Sequence, residues 1–173
     1  MSLRPVLFAH GLQGHPNGNK PTAMRAGGLQ VTAPDGRKRP LAERVALLLA
    51  ALDRLENPVL VGSSYGGLAM LAVARDRPNA FRGLVLCAPA LTWNEPPAGP
   101  PDVLVAPEMT VVLHGVQDDI IPIDVSRALV ARSPDARLIE RQDGHRLADS
   151  LDVLVDVVRD LASRRSSATA GGR

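Results

Sequence analysis

Aromatic side chains are scarce: two Phe, one Tyr and one Trp in 173 residues. Protein surfaces that stack single-stranded bases need aromatic rings set in a basic groove. Neither is present here, since 20 basic and 18 acidic residues leave a formal charge of only +2 and form no long basic stripe. Nucleic acid is therefore not an expected partner. The short basic runs, GRKRP (36–40) and Arg164-Arg165, read as solvated surface. The sequence has one cysteine, Cys87, so it cannot form an internal disulfide. Its position in the apolar run GLVLCAPA (83–90) reads as a buried structural thiol. A secretory h-region is also missing, as is any apolar stretch of about 18 residues, so the expectation is a cytoplasmic protein without membrane insertion.

What is abundant is small and aliphatic. Hydrophobic residues make up 45% of the chain, and with so few rings the core must be packed with Leu, Val and Ala. Such residues suit parallel strands buried on both faces. The length fits one domain, taken as residues 1–165, because compact domains commonly run to roughly 100–200 residues. The tail SSATAGGR (166–173) is small and polar, and is expected to be disordered.

Short apolar strand candidates fall at 5–10, 28–34, 58–63, 83–89, 109–115 and 136–141. Helix candidates alternate with them at 19–27, 41–56, 65–77, 124–133 and 147–165. The second helix has an apolar face through Leu41, Val45, Leu48, Leu49 and Leu52, and the last has one through Leu151, Leu154, Val155, Val158 and Leu161. Strands separated by helices imply right-handed crossovers and a parallel sheet covered on both sides, an open α/β sandwich. Ligands in such folds bind beyond the carboxyl ends of the strands.

One strand end carries a chemical signature. After PVLV comes Gly62-Ser63-Ser64-Tyr65-Gly66-Gly67, and the pattern G-x-S-x-G fits only as Gly62-x-Ser64-x-Gly66. A sharp strand-to-helix turn crowds the positions two before and two after its centre, where only small residues fit. Ser64 would then project its hydroxyl from the turn, with Ser63 the small residue leading in. The N–H of Tyr65, at the positive end of the following helix, could stabilise an oxyanion.

A serine hydroxyl needs a base, and the base needs a carboxylate to orient it, in the chain order Ser, Asp or Glu, His. His145 lies after the last strand in IERQDGHRLADS (139–150) and is the histidine with the right context. His10 and His114 end strands just before glycine, and His15 sits in an early loop. For the acid, Asp118 and Asp119 follow a strand in TVVLHGVQDDIIP (110–122), and residue chemistry does not separate them. Asp143, just before Gly144, reads as a turn residue. At the first strand, VLFAHGLQG (6–14) offers a second oxyanion donor, the N–H of Leu12 after Gly11, with His10 bracing the loop.

These segments resemble the α/β-hydrolase superfamily. HGLQG resembles its oxyanion loop, GSSYGG its nucleophile elbow, HGVQDDIIP its acid loop and DGH its histidine loop, over residues 5–162. The resemblance implies Asp118 as the acid, Leu12 and Tyr65 as the oxyanion pair, and a mostly parallel six-stranded sheet of order 2-1-3-4-5-6. It also implies a minimal version of the fold, because no room precedes residue 5 for the two antiparallel strands of larger members. Within the superfamily the likeness is to small serine esterases and thioesterases.

The usual lid position holds only the Pro-rich stretch 88–108, too short for a helical cap, so an open site is expected. Leu91, Trp93, Leu104 and Val105 are candidate pocket walls, and equally candidates for anchoring that stretch to the core. An open site suits a small-molecule ester or an acyl group on a larger carrier. No cofactor or metal is expected, since no convincing ligand cluster occurs. A peptidase or amidase on the same triad, or a binding protein on the same scaffold, are the other readings.

Overall fold

The computed structural model describes residues 3–164. Its elements follow in the order β1 (Val6–Ala9), α1 (Asn19–Ala26), β2 (Val31–Thr32), α2 (Leu41–Leu52), β3 (Val59–Ser63), α3 (Tyr65–Asp76), β4 (Gly83–Cys87), β5 (Thr110–Gly115), α4 (Asp124–Ala131), β6 (Arg137–Arg141) and α5 (Leu151–Ser163). Short 3-10 turns lie at Pro101–Val103 and Ala148–Ser150. The sheet has the order β2-β1-β3-β4-β5-β6, as expected, and every strand pair in it is parallel. Arg165 and the tail 166–173 lie outside the described residues.

Alternation along each strand builds two cores. Leu7, Leu60, Leu84, Leu86 and Val112 point to the face covered by α2, α3 and α4. Val6, Phe8, Val61, Val85 and Leu113 point to the face covered by α1 and α5. Each such side chain, fully buried, contributes about 1.5–3 kcal/mol of transfer free energy. Helix α3 is buried from Tyr65 through Ala74, which accounts for its apolar character on all sides. Helix α5 is amphipathic, with Leu154, Val158 and Leu161 inward.

Three boundaries differ from expectation by three residues or more. The second strand shrinks to Val31–Thr32, because Gly28 takes φ +84 before it and it pairs only with β1 at the sheet edge. Helix α2 stops at Leu52, short of 56; Asn57 adopts φ 49 beside Pro58, whose ring disfavours a helical residue before it. The last helix begins at Leu151, and not at 147, because Asp143 takes the donors of the preceding turn. Its carboxylate accepts the amide hydrogens of Gly144 (2.7 Å) and Asp149 (3.0 Å) and the Ser150 hydroxyl (2.8 Å).

The topology fixes where a site can form. From β1 the chain crosses to β2 on one side and then returns to β3 on the other, so the crevice at this reversal lies beyond β1 and β3. Gly11 and Ser64 follow those two strands.

Candidate active site

Ser64 takes φ 54 and ψ −120, a backbone conformation that residues with a side chain rarely adopt. Local hydrogen bonds hold it there. Its N–H donates to the Cys87 carbonyl (2.9 Å), while its own carbonyl accepts from Gly67 (2.8 Å) and Ala90 (3.0 Å). The turn leaves no room at the flanking glycines. A Cβ on Gly66 would stand 2.2 Å from the Ala9 carbonyl oxygen, and one on Gly62 would stand 2.6 Å from that of Gly66. Ser63 remains in β3, paired with Cys87.

From this turn a hydrogen-bonded chain of side chains runs across the strand ends. His145 Nδ1 lies 2.8 Å from Asp118 Oδ2, and its Nε2 lies 3.1 Å from Ser64 Oγ. A carboxylate only accepts, so Nδ1 carries the proton and Nε2 offers its lone pair to the serine hydroxyl. The Asp118 side chain is fully buried and that of His145 is 17% exposed. Asp119 is exposed to solvent. Burial by itself would raise the pKa of Asp118, but the Ile121 amide, the His145 bond and the Ile120 amide outweigh it and hold the acid ionised below its usual range.

A second histidine reaches the same carboxylate. His114, fully buried in β5, has Nε2 3.1 Å from Asp118 Oδ2 and 2.9 Å from the Ile121 carbonyl. Its Nδ1 lies 2.6 Å from Ser126 Oγ in α4. Since Asp118 and the carbonyl accept, His114 donates from Nε2 and receives the Ser126 hydroxyl at Nδ1. Sequence reading saw this residue only as a strand end. Its spacing of four from Asp118 was the available signal.

On the other side of Ser64 lie backbone groups. Gly11 packs against it, with a Cβ built there 3.4 Å from Ser64 Cβ. Leu12 follows in an exposed turn closed by the Gly14 N–H on the Gly11 carbonyl (3.0 Å). The N–H of Tyr65 opens α3 and has no acceptor within the helix. His10 donates from Nδ1 to the Gly11 carbonyl (2.8 Å) and accepts the Gly36 N–H at Nε2 (3.1 Å). That is the neutral imidazole, in keeping with a pKa lowered by burial. Although Asp35 lies 3.8 Å from Nε2, that nitrogen has no proton to give it.

The Pro-rich stretch is tied to the elbow. Glu95 accepts the Tyr65 hydroxyl (2.8 Å) and the Leu41 N–H at the start of α2 (3.0 Å). Trp93, 42% exposed, packs against the Tyr65 ring at 5.1 Å between centroids. Leu91 and Leu104 are buried within the α2–α3 core and Val105 is exposed. Glu95 escaped sequence reading because a Pro-rich loop has no period from which to read burial. Lys20, in α1, anchors the histidine loop by donating to the Arg146 carbonyl (2.7 Å). Among the described residues no group of three or more His, Cys, Asp or Glu side chains is placed to hold a metal ion, and no helix is long and apolar enough to cross a membrane.

An open parallel sheet that reverses at β1/β3, with a strained serine after β3, defines the class of α/β hydrolases. The chain belongs to the alpha/beta hydrolase family, whose model matches residues 5–171. Among solved structures it is similar to a protein of Xanthomonas campestris pv. campestris provisionally assigned as a hydrolase of the alpha/beta superfamily, at 26% identity and TM-score 0.77, covering 94% of this chain and 98% of that one. It is similar in fold to alpha/beta hydrolase domain-containing protein 10 from mouse, with 20% identity, TM-score 0.78 and coverage of 93% and 91%. A third likeness in fold is to Est1E from Butyrivibrio proteoclasticus, with 19% identity, TM-score 0.73 and coverage of 91% and 86%. No curated protein matches the sequence.

Proposed function

We propose that the protein hydrolyses carboxylic esters or thioesters through an acyl-enzyme on Ser64. The observation that carries this reading is the continuous hydrogen-bonded chain Ser64–His145–Asp118, at 3.1 and 2.8 Å. In the first step His145 Nε2 takes the hydroxyl proton as Ser64 Oγ attacks the acyl carbonyl. The amides of Leu12 and Tyr65 receive the oxyanion, and Asp118 stabilises the imidazolium. His145 then gives its proton to the leaving alcohol or thiol. Water, deprotonated by His145, attacks the acyl-serine in the second step, and Ser64 departs with the proton restored.

Strain at Ser64 supports catalysis over mere binding on the same scaffold. Holding a non-glycine residue in such a conformation costs about 1–3 kcal/mol, and the cost has a use only if the hydroxyl must be presented. Trp93, Leu12 and Ile120 are exposed apolar groups on the loops after β4, β1 and β5. They favour an apolar acyl or alcohol portion at an open site, whether a small ester or an acyl group on a carrier.

Ser64→Ala should abolish turnover of p-nitrophenyl acetate and butyrate, a loss of about 10⁴-fold or more, with an unchanged circular dichroism spectrum. A fluorophosphonate should label the wild-type protein at Ser64 alone. Normal turnover by the purified Ala variant would overturn the assignment.

A further inference from the structure

Arg44 lies on the apolar stripe of α2, between Leu41 and Val45, and is only 3% exposed. Among the described residues its cation forms no ion pair with a carboxylate, and the pull of Tyr65, Asp35 and Glu95 does not offset the cost of its burial. Its Nη2 has no hydrogen-bond partner among the described residues. A buried guanidinium so poorly compensated weakens a fold, and apolar residues of similar size at such places are often the more stable choice. Its position therefore calls for another explanation.

What Arg44 touches supplies one. Nη1 donates to the His10 carbonyl at 2.9 Å and approaches the Gly11 carbonyl at 3.5 Å, while Nε donates to the Arg39 carbonyl at 3.2 Å. The guanidinium carbon stands 4.8 Å from the centroid of the Tyr65 ring. One side chain thus contacts the backbone of the loop after β1 and the ring of Tyr65, the residue that follows Ser64.

The Gly11 carbonyl and the Leu12 N–H share one planar trans peptide, so they point in opposite directions. His10 Nδ1–H, the Gly14 N–H and the Arg44 cation all converge on that carbonyl oxygen. Fixing the oxygen fixes the direction of the N–H. A positive charge at the oxygen also draws electron density from the nitrogen and makes the N–H a stronger donor.

We infer that Arg44 is a positioning residue for the oxyanion hole, setting the direction and donor strength of the Leu12 amide while holding the Tyr65 ring whose backbone N–H is the second donor. This rests on the reading of Ser64 as an acyl-transfer nucleophile. Deleting one oxyanion donor commonly costs about 10²–10³ in kcat. Loosening a donor without deleting it should cost less, about 10- to 100-fold.

The test measures kcat and KM on p-nitrophenyl butyrate, together with inhibition by a trifluoromethyl ketone, for wild type, Arg44→Met and Arg44→Lys. In Arg44→Met, kcat should fall about 10- to 100-fold with KM within about twofold, and affinity for the ketone should fall by the same factor. Arg44→Lys, which restores the charge, should recover part of both. A folded Met variant with wild-type kcat overturns the inference, as does a loss of kcat that ketone affinity does not follow. Should the Met variant fail to fold, the Lys variant decides: matched partial losses support the inference, and full wild-type kcat overturns it. A wild-type protein that neither turns over the ester nor labels with fluorophosphonate overturns the reading of Ser64, and this inference with it. An active, labelled wild type with an unaffected Arg44 variant overturns the inference alone.

Discussion

The two sides of Ser64 are built from different material. On one side Asp118 and His145 meet through their side chains, mounted on the loops after β5 and β6. On the other side the chain brings the backbone of Gly11 against Ser64, with His10 and Arg44 bonded to the carbonyls of that loop and Glu95 holding the Tyr65 hydroxyl. On the proposed reading, the first side needs two residues of fixed chemistry, following the serine in fixed order. The second needs peptides to be held at fixed angles, which many residues could do.

The difference predicts unequal responses to substitution. On the side-chain arm, Asp118→Asn should lower kcat by about 10⁴-fold, because an amide that donates to His145 Nδ1 favours the wrong tautomer. Asp119→Asn, at an exposed neighbour, should change kcat by no more than about twofold. Stopped-flow or steady-state ester hydrolysis by the two purified variants measures both, and the reverse ranking would make Asp119 the acid.

On the backbone arm a supporting residue can be lost with the amides still in place. Glu95→Ala removes the acceptor of both the Tyr65 hydroxyl and the Leu41 N–H. Leaving those partly buried donors unpaired should cost about 1–3 kcal/mol of stability each at most, read from urea unfolding. The expected drop in kcat is less than about tenfold. A loss as large as that of Asp118→Asn would mean that Glu95 belongs to the chemistry and not to the scaffold beneath it.

The same contrast explains what could be read from sequence. Ser64, Asp118 and His145 were visible because their types, order and strand-end context recur together, and Gly62 and Gly66 because a crowded turn admits little else. The strand order followed from the resemblance, and the two-faced core from short, mostly apolar strands separated by helices. Glu95 was not read, because a glutamate in a Pro-rich loop has no spacing that marks a partner, and the only mark on His114 was its spacing of four from Asp118. Arg44 left a faint mark: it stands at i+3 from Leu41 and i−4 from Leu48, on the stripe where a charge does not belong. Where β2 shrank and α2 ended early, local breakers at Gly28 and Pro58 overrode the apolar pattern.

Tyr65 gives the smallest effect and the most local one, because it is the sole tyrosine of the chain. Its hydroxyl is pushed up to about 12, by burial first, then by its bond to Glu95 and that carboxylate's charge, against the opposing pull of Arg44. A raised tyrosine pKa means that the fold favours the neutral phenol. Its contribution is therefore complete below the ordinary value near 10 and is lost as pH rises from there through about 12. Tyrosinate absorbance in the native protein should accordingly titrate near 12, and the stability of wild type should decline more steeply between those values than that of Tyr65→Phe. A native-state midpoint near 10, or parallel declines in the two proteins, would show that the phenol is not held by burial and its bond to Glu95.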